Sequence, residues 1–297
     1  MTAQAGKGPL QISGSGAWKV AKATWREAGK DNLPLLASGV AFYIFLAFVP
    51  LLIAVVLTYG LVASPAQVAH QIAALSTKIS KEAASLISGQ LRNIVSMART
   101  TAGFGLIMAL LVSLYGTMKA AGGVITALNI VFGVEERRSF VRVTLVTLEM
   151  TAGLVLAFIV ASLGVSVMNL LARLLPDLGG VVKVGLQAGY WLGTALVISL
   201  IIAAIYRLAP DRTEVHWRWM SPGSVLATII WVATTFAFSY YVRHFGSYNA
   251  TYGSLAAVII FLTWLYLTAY IVLFGAELNY VLERRSIRRL SNAPISP

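Results

Sequence analysis

TYGSLAAVIIFLTWLYLTAYIVLFGAELNYVLERR, residues 251–285, decides how the whole chain is read. From Leu255 to Val281 it holds a single ionisable residue, Glu277. As a helix this run is long enough to cross the ~30 Å hydrocarbon layer of a bilayer, which takes about 20 apolar residues. It closes on a basic clamp of Arg284, Arg285, Arg288 and Arg289. Its polar residues are ordered as well. Thr263, Tyr266, Tyr270 and Glu277 follow at steps of three, four and seven, the spacing of one helical face. Such a helix has one side for lipid and one side that requires protein, water or a polar partner.

Composition extends that reading to the full chain. Of 297 residues 58% are hydrophobic and only 11% charged, with a mean hydropathy of +0.78. Soluble domains carry about 25% charged residues, so the class is polytopic and all-α, not a globule around a core. There is no cysteine, which excludes disulfides, thiol catalysis and cysteine metal sites. The net charge of +12 would suggest nucleic acid in a soluble protein; here its placement is the informative feature.

The expected organisation has three parts. Residues 1–34 form a cytoplasmic leader, residues 35–284 the transmembrane domain and residues 285–297 a basic cytoplasmic tail. The leader has no apolar core and is not a cleaved secretory signal; the first apolar run reads as a signal anchor. Within it, Ala17–Asp31 predicts a helix. Lys19, Lys22, Arg26 and Lys30 fall on one face and Trp18, Ala21, Trp25 and Ala28 beside them, the pattern of a helix lying on an anionic membrane surface. A solvated helix capped by the bundle is the alternative.

Six spans are expected: Leu35–Val62 with Pro50 near its middle, Thr101–Phe132, Phe140–Ala172, Val184–Leu208, Ser221–Val242 and the opening stretch. The mid-span proline predicts a kink. With six spans, fifteen basic residues fall on the side of the termini and seven on the other, so both termini are expected in the cytoplasm. The basic excess is then mostly a topology signal, and nucleic acid is not an expected partner. Residues 66–98 form the long external segment. Val68, Ile72, Leu75, Ile79, Ala83, Leu86, Leu91 and Ile94 recur there at helical spacing, predicting two amphipathic helices broken near Gly89. They either lie on the outer leaflet, cover a cavity mouth, or pack on top of the bundle.

Several blocks resemble the YihY/BrkB family of prokaryotic inner-membrane proteins. These are Asp31-Asn32 leading into LASGVAFYIFLAFVPLL (residues 36–52), ALNIVFG (127–133), the run from Leu208 to Arg212 with Ser221–Gly223, and YGSLAAVIIFLTWLYLTAYIVLFGAEL (252–278). The resemblance covers residues 31–285 and is strongest around Asn129 and Glu277. It implies six helices and a transporter-like role in the inner membrane. The family also carries virulence-factor and "ribonuclease BN" labels.

The site candidates come from the ionisable residues inside spans, because a charge at mid-bilayer costs roughly 2.5–3.5 kcal/mol even on lenient scales. These are Lys119, Glu149 and Glu277. Lys119 shares a stripe with Tyr115, Gly122, Thr126 and Asn129. Glu149 lies off the polar stripe of its own helix (Thr144, Thr147, Thr151, Ser162, Ser166, Asn169) and is expected to pair with Lys119. A further stripe, Ser221, Ser224, Thr228, Trp231, Thr235 and Ser239, marks the fifth span. Together these stripes predict a polar path lined by Lys119, Asn129, Glu149, Tyr266, Tyr270 and Glu277. Membrane lipids are the expected partners, and a homo-oligomer is compatible with the sequence. Each hydroxyl alone is better read as interhelical packing.

No enzyme is expected, no cofactor and no metal. His70, His216 and His244 are far apart in sequence, and no HExxH, GxSxG or P-loop pattern occurs. A hydrolytic metal nuclease needs clustered ligands, so the ribonuclease label finds no support in these residues. The alternative to transport is a non-catalytic envelope scaffold, in which the polar stripes are packing or oligomer seams.

Overall fold

The computed structural model describes residues 14–62, 81–153, 180–212, 221–244 and 254–291. All the secondary structure described there is helical. In chain order the helices are α1 (Gly14–Lys30), α2 (Leu33–Val62), α3 (Lys81–Val131), α4 (residues 140–153), α5 (Gly180–Leu208), α6 (Pro222–His244) and α7 (Ser254–Ser291). Among the described residues four stretches are long and apolar enough to cross a membrane: Leu110–Val131, Val184–Leu208, Pro222–Val242 and Val258–Ser286. Counting α1 and the first half of α2 as one bent span makes five. Of the six expected spans, the third begins at α4, and residues 154–179, with Ser162, Ser166 and Asn169, lie outside the described residues. So do residues 63–80 of the external segment, together with His70 and His216.

One expectation about helix continuity changes. The break foreseen at Gly89 is absent, because α3 runs unbroken for 51 residues from Lys81. One interior glycine costs a helix about 1 kcal/mol, too little to stop it. At 1.5 Å per residue α3 is about 75 Å long, far more than a bilayer is thick, so the amphipathic segment from Lys81 onward and the second span are one helix. Pro50, in turn, lies within a single uninterrupted helix, α2.

The chain divides into two compact units, Met1–Ala41 with Ala121–Pro297, and Phe42–Ala120. In the smaller unit α2 and α3 cross where Gly116 meets Ala47. A Cβ added to Gly116 would lie 2.8 Å from the Ala47 Cα, so glycine is what permits that approach.

The larger unit is built around α7. Hydrocarbon offers no hydrophobic drive for helix association, so spans adhere through close backbone approach and interhelical hydrogen bonds. Both occur where α6 meets α7. A Cβ on Gly275 would sit 2.6 Å from the Gly223 carbonyl and 2.8 Å from the Ala227 Cβ. Asn279, buried in α7, accepts from the Gly223 N–H at 2.8 Å and donates to Ser221 Oγ at 2.9 Å. From α5, Tyr206 donates to the Val272 carbonyl at 2.5 Å. The start of α6 is self-capped: Ser221 Oγ accepts from the Ser224 N–H, and Ser224 Oγ accepts from the Ser221 N–H. Pro222 occupies the first helical position, where its missing N–H costs nothing.

The outward faces are apolar. Leu110, Leu111 and Leu114 on α3, Leu192, Leu196 and Leu200 on α5, and Ile229 and Phe236 on α6 are all exposed. That is the surface of a protein whose solvent is lipid.

α1 has one face buried against protein and one left exposed. Val20, Thr24 and Ala28, four residues apart, form a buried stripe, and α1 packs against α7. Trp18 and Trp25 remain exposed, as do Lys19, Lys22, Arg26 and Lys30. α1 stops at Asn32, whose φ of 51° lies in the left-handed region. Asn tolerates that region better than most residues. The Asn32 carbonyl then accepts from Leu35 and Leu36 to open α2, which leaves at 64° to α1.

The α6–α7 contact predicts a position-specific response to one added methyl. Gly275→Ala should destabilise the purified protein by about 1–3 kcal/mol, the range for overpacking. Gly189→Ala on α5, where a Cβ meets nothing within 4 Å, should be neutral or slightly stabilising. Thermal denaturation in detergent measures both.

Candidate functional site

Glu277 sits two residues before Asn279 on α7 and is fully buried. Among the described residues no donor gives a hydrogen bond to either of its carboxylate oxygens. The polar group within hydrogen-bonding reach is the Asp31 carboxyl at the α1–α2 corner, only half-buried. Glu27, one turn back on α1, is a third carboxylate close enough to act on both. It is differently placed: Lys30 Nζ donates to it at 3.0 and 3.1 Å, and Arg26 lies 3.6 Å away. Those contacts, led by the Lys30 hydrogen bond, hold the Glu27 carboxyl below the usual glutamate range.

An aromatic file leads along α7 to this corner. Tyr266 and Tyr270 have ring centroids 6.1 Å apart, and Tyr270 stacks on Phe274 at 6.3 Å. Phe274 meets Trp25 of α1 edge-on at 6.3 Å. A shallow cleft of about 160 Å³ lies beyond Glu277, between Ala23, Arg26 and Glu27 of α1 and Tyr280, Arg284 and Arg285 of α7.

A second polar cluster joins the end of α3 to the segment after α5. Asn129 is buried, and its amide is fully engaged. Nδ2 donates to Glu136 Oε2 and Oδ1 accepts from the Asp211 N–H, each at 2.9 Å. The Arg138 side chain, 9% exposed, donates to Glu136 at 2.6 and 2.7 Å and to the Ala209 carbonyl at 2.6 Å. Asp211 lies 3.7 Å from it. The Arg138 hydrogen bonds push the Glu136 carboxyl down to about 2. One residue on, Arg212 pairs with Glu283 of α7 at 2.6 Å and covers the Phe132 ring at 4.3 Å. A cleft of about 720 Å³ opens beside this cluster, lined by Arg137, Arg138, Arg142, Ser139, Glu135 and Asp211 among others.

The structure distributes the six sequence candidates over several places. Tyr266, Tyr270 and Glu277 share one face of α7, as their spacing implied. Asn129 belongs to the Arg138 cluster. Lys119 belongs to the smaller unit, where it is exposed with its ammonium 5.5 Å from the Tyr115 ring centroid. Glu149 is exposed on α4 in the larger unit. The hydroxyl stripes are largely satisfied by their own helices. Thr144, Thr151, Thr228, Thr235 and Thr263 each donate to the carbonyl four residues earlier.

Sequence reasoning passed over Asp31, Glu136, Arg138, Asp211 and Asn279. Asp31-Asn32 carried a visible signal, an Asx pair between two helical patterns. Arg138 and Asn129 each have partners 70 or more positions away as well as local ones, and spacing does not reveal them.

Several long apolar helices, one of them carrying a fully buried carboxyl, define a multi-pass helical membrane protein. A family model described as Virulence factor BrkB matches residues 24–296, and the chain belongs to that family. It is 33% identical over 185 residues to YfkH of Bacillus subtilis (strain 168), which carries a ribonuclease-like name; the match covers 61% of this chain and 66% of that one. It is 40% identical over 96 residues to a UPF0761 membrane protein of Alteromonas mediterranea, covering 32% of each chain. A UPF0761 membrane protein of Vibrio cholerae is 36% identical over 95 residues, 32% of this chain and 31% of that one. The chain thus spans less than two thirds of the length of these relatives. No solved structure matches it.

The Arg138 cluster makes an acid-dependent prediction. In the unfolded chain Glu136 titrates near the ordinary value of about 4.3. Its lowered value in the fold therefore adds stability above that pH, and the gain disappears as pH falls from there towards about 2. Glu136→Gln should flatten this part of the acid limb in a melting-temperature profile. Arg138→Ala leaves Glu136 without its guanidinium partner and the Leu208 and Ala209 carbonyls without that donor, and should cost about 1.5–3 kcal/mol, the range for hydrogen bonds to charged groups.

Proposed function

We propose that this is a transporter-like inner-membrane protein, non-enzymatic, that moves a lipid, an amphiphile or a small solute along a path on which Glu277 lies. The reading takes six spans with both termini in the cytoplasm, on the strength of the fifteen-to-seven distribution of basic residues. Lipids are its partners in this reading, as surroundings and as candidate substrate. Tyr266 and Tyr270 line the approach, and Lys119, Asn129 and Glu149 are the further candidates for the path.

One observation carries the proposal. Glu277 lies inside a span, is fully buried, and its two oxygens have no donor. A buried, unsatisfied polar group costs free energy that packing alone gives no reason to accept. Ionisable residues held inside a membrane in this way mark ion, proton and substrate pathways more often than structural seams. Asparagine two residues later shows the contrast, since Asn279 is fully engaged in packing.

A second reading, a non-catalytic envelope scaffold, is favoured by a different observation. The stripe hydroxyls donate to their own backbones and the α6–α7 contact is backbone-close. Such a bundle is suited to holding partners in the membrane.

Proteoliposomes separate the two. With a panel of labelled lipids, amphiphiles and small solutes, wild-type protein should move at least one of them. Glu277→Gln should slow that flux about tenfold, the effect of ~1.4 kcal/mol. Equal flux in the variant removes the carboxyl from the path, and no flux for any member of the panel favours the scaffold.

A further inference from the structure

We propose that Asp31 and Glu277 together hold one exchangeable proton, Glu277 on the membrane side and Asp31 as its outlet to water, which makes a proton the coupled ion of the transport reading above. The inference deepens that reading and rests on it only for the coupling.

The argument begins with hydrogen-bond accounting. Two carboxylates facing each other are both acceptors, and neither can satisfy the other. No N–H or O–H among the described residues reaches either Glu277 oxygen. A proton between the two carboxyls converts the contact into an O–H···O hydrogen bond, the arrangement by which paired carboxyls tolerate one another at short range. Nothing is oxidised or reduced. One O–H bond forms on a carboxylate and breaks when the proton leaves.

The surroundings favour a proton over a larger cation. Among the described residues no group of three His, Cys, Asp or Glu side chains is arranged to hold a metal ion. Glu27, the third carboxylate, is occupied by Lys30 and Arg26. The other charges near the pair are those of Lys30 beside Asp31, and of Arg26 and Arg284 beside Glu27. A fixed anion at Glu27 adds a like charge that discourages full ionisation of the pair.

The corner also gives the pair two different exposures. Glu277 is sealed by α1 and α7, whereas Asp31 is half-buried, at the bend where α1 ends. A proton arriving from water therefore meets Asp31 first. Asp31 is a positioning and relay residue in this scheme.

Infrared difference spectroscopy of the full chain in lipid nanodiscs tests the pair without any transport assay. Wild-type protein should show a protonated-carboxyl C=O band at neutral pH. Glu277→Gln should remove it, and Asp31→Asn should shift it, because an amide then replaces the carboxyl as hydrogen-bond partner. Sodium and potassium at fixed pH should leave it unmoved. Absence of the band in wild type overturns the proposal, whether or not either variant folds. A band indifferent to Asp31→Asn overturns the sharing, and a band abolished by sodium replaces the proton with a metal cation. Flux that ignores Glu277→Gln while the band behaves as expected overturns the transport reading and leaves the proton pair. Flux that needs Glu277 in a protein lacking the band does the reverse.

Discussion

Gly223 and Gly275 let the backbones of α6 and α7 touch, and the larger unit depends on that contact. In lipid, two apolar helix faces gain little by meeting, so a bundle needs dispersion at close range and hydrogen bonds between spans. The glycines supply the first. Asn279 and Tyr206, reaching α6 and the Val272 carbonyl, supply the second. A larger residue at either glycine would separate the helices and leave the Asn279 amide without its partners. The turn of α7 fixed in this way is the one that carries Glu277, so the depth and rotation of the carboxyl follow from a contact between glycines.

The opposite side of that turn is closed by α1. A helix with small buried residues every fourth position can lie close against α7, while its tryptophans and lysines stay outside. The left-handed Asn32 then redirects the chain by 64° into α2. A straight continuation would carry Asp31 along the surface with the basic residues. The bend instead leaves it beside Glu277. A backbone conformation and a buried acid are thereby linked: the corner is what brings the Asp31 carboxyl to the acid.

The Arg138 cluster does comparable work without polar cost. Asn129, Glu136, Asp211 and Arg138 satisfy one another and tie the end of α3 to the segment that follows α5. Arg212 and Glu283 extend the tie to α7. Partly buried ionic groups of this kind are tolerable where they have partners. The contrast with Glu277 is physical: the Glu136 carboxylate has its donors, whereas among the described residues both oxygens of Glu277 lack one.

The class of the protein was legible in the sequence. Long apolar runs with almost no charge specify membrane helices, because every backbone polar group in hydrocarbon must be satisfied within its own segment. The shared face of Tyr266, Tyr270 and Glu277 was legible for the same reason, since a helix fixes its own angular positions. The start of α6 at Ser221-Pro222 and the basic, tryptophan-bearing face of α1 also follow from local chemistry. The length of α3 did not, because a single glycine is a weak signal against the propensity of its neighbours. Nor did the roles of Asn129 and Asn279, two asparagines in long apolar helices that look alike in sequence and join different networks. Which polar residues of separate helices meet is set by crossing points and bends, and these depend on contacts between residues far apart in the chain. Sequence alone determined that Glu277 lies in a membrane helix; only the tertiary structure decided that its neighbour is Asp31, because a corner at Asn32 and a glycine contact at α6 bring the two together.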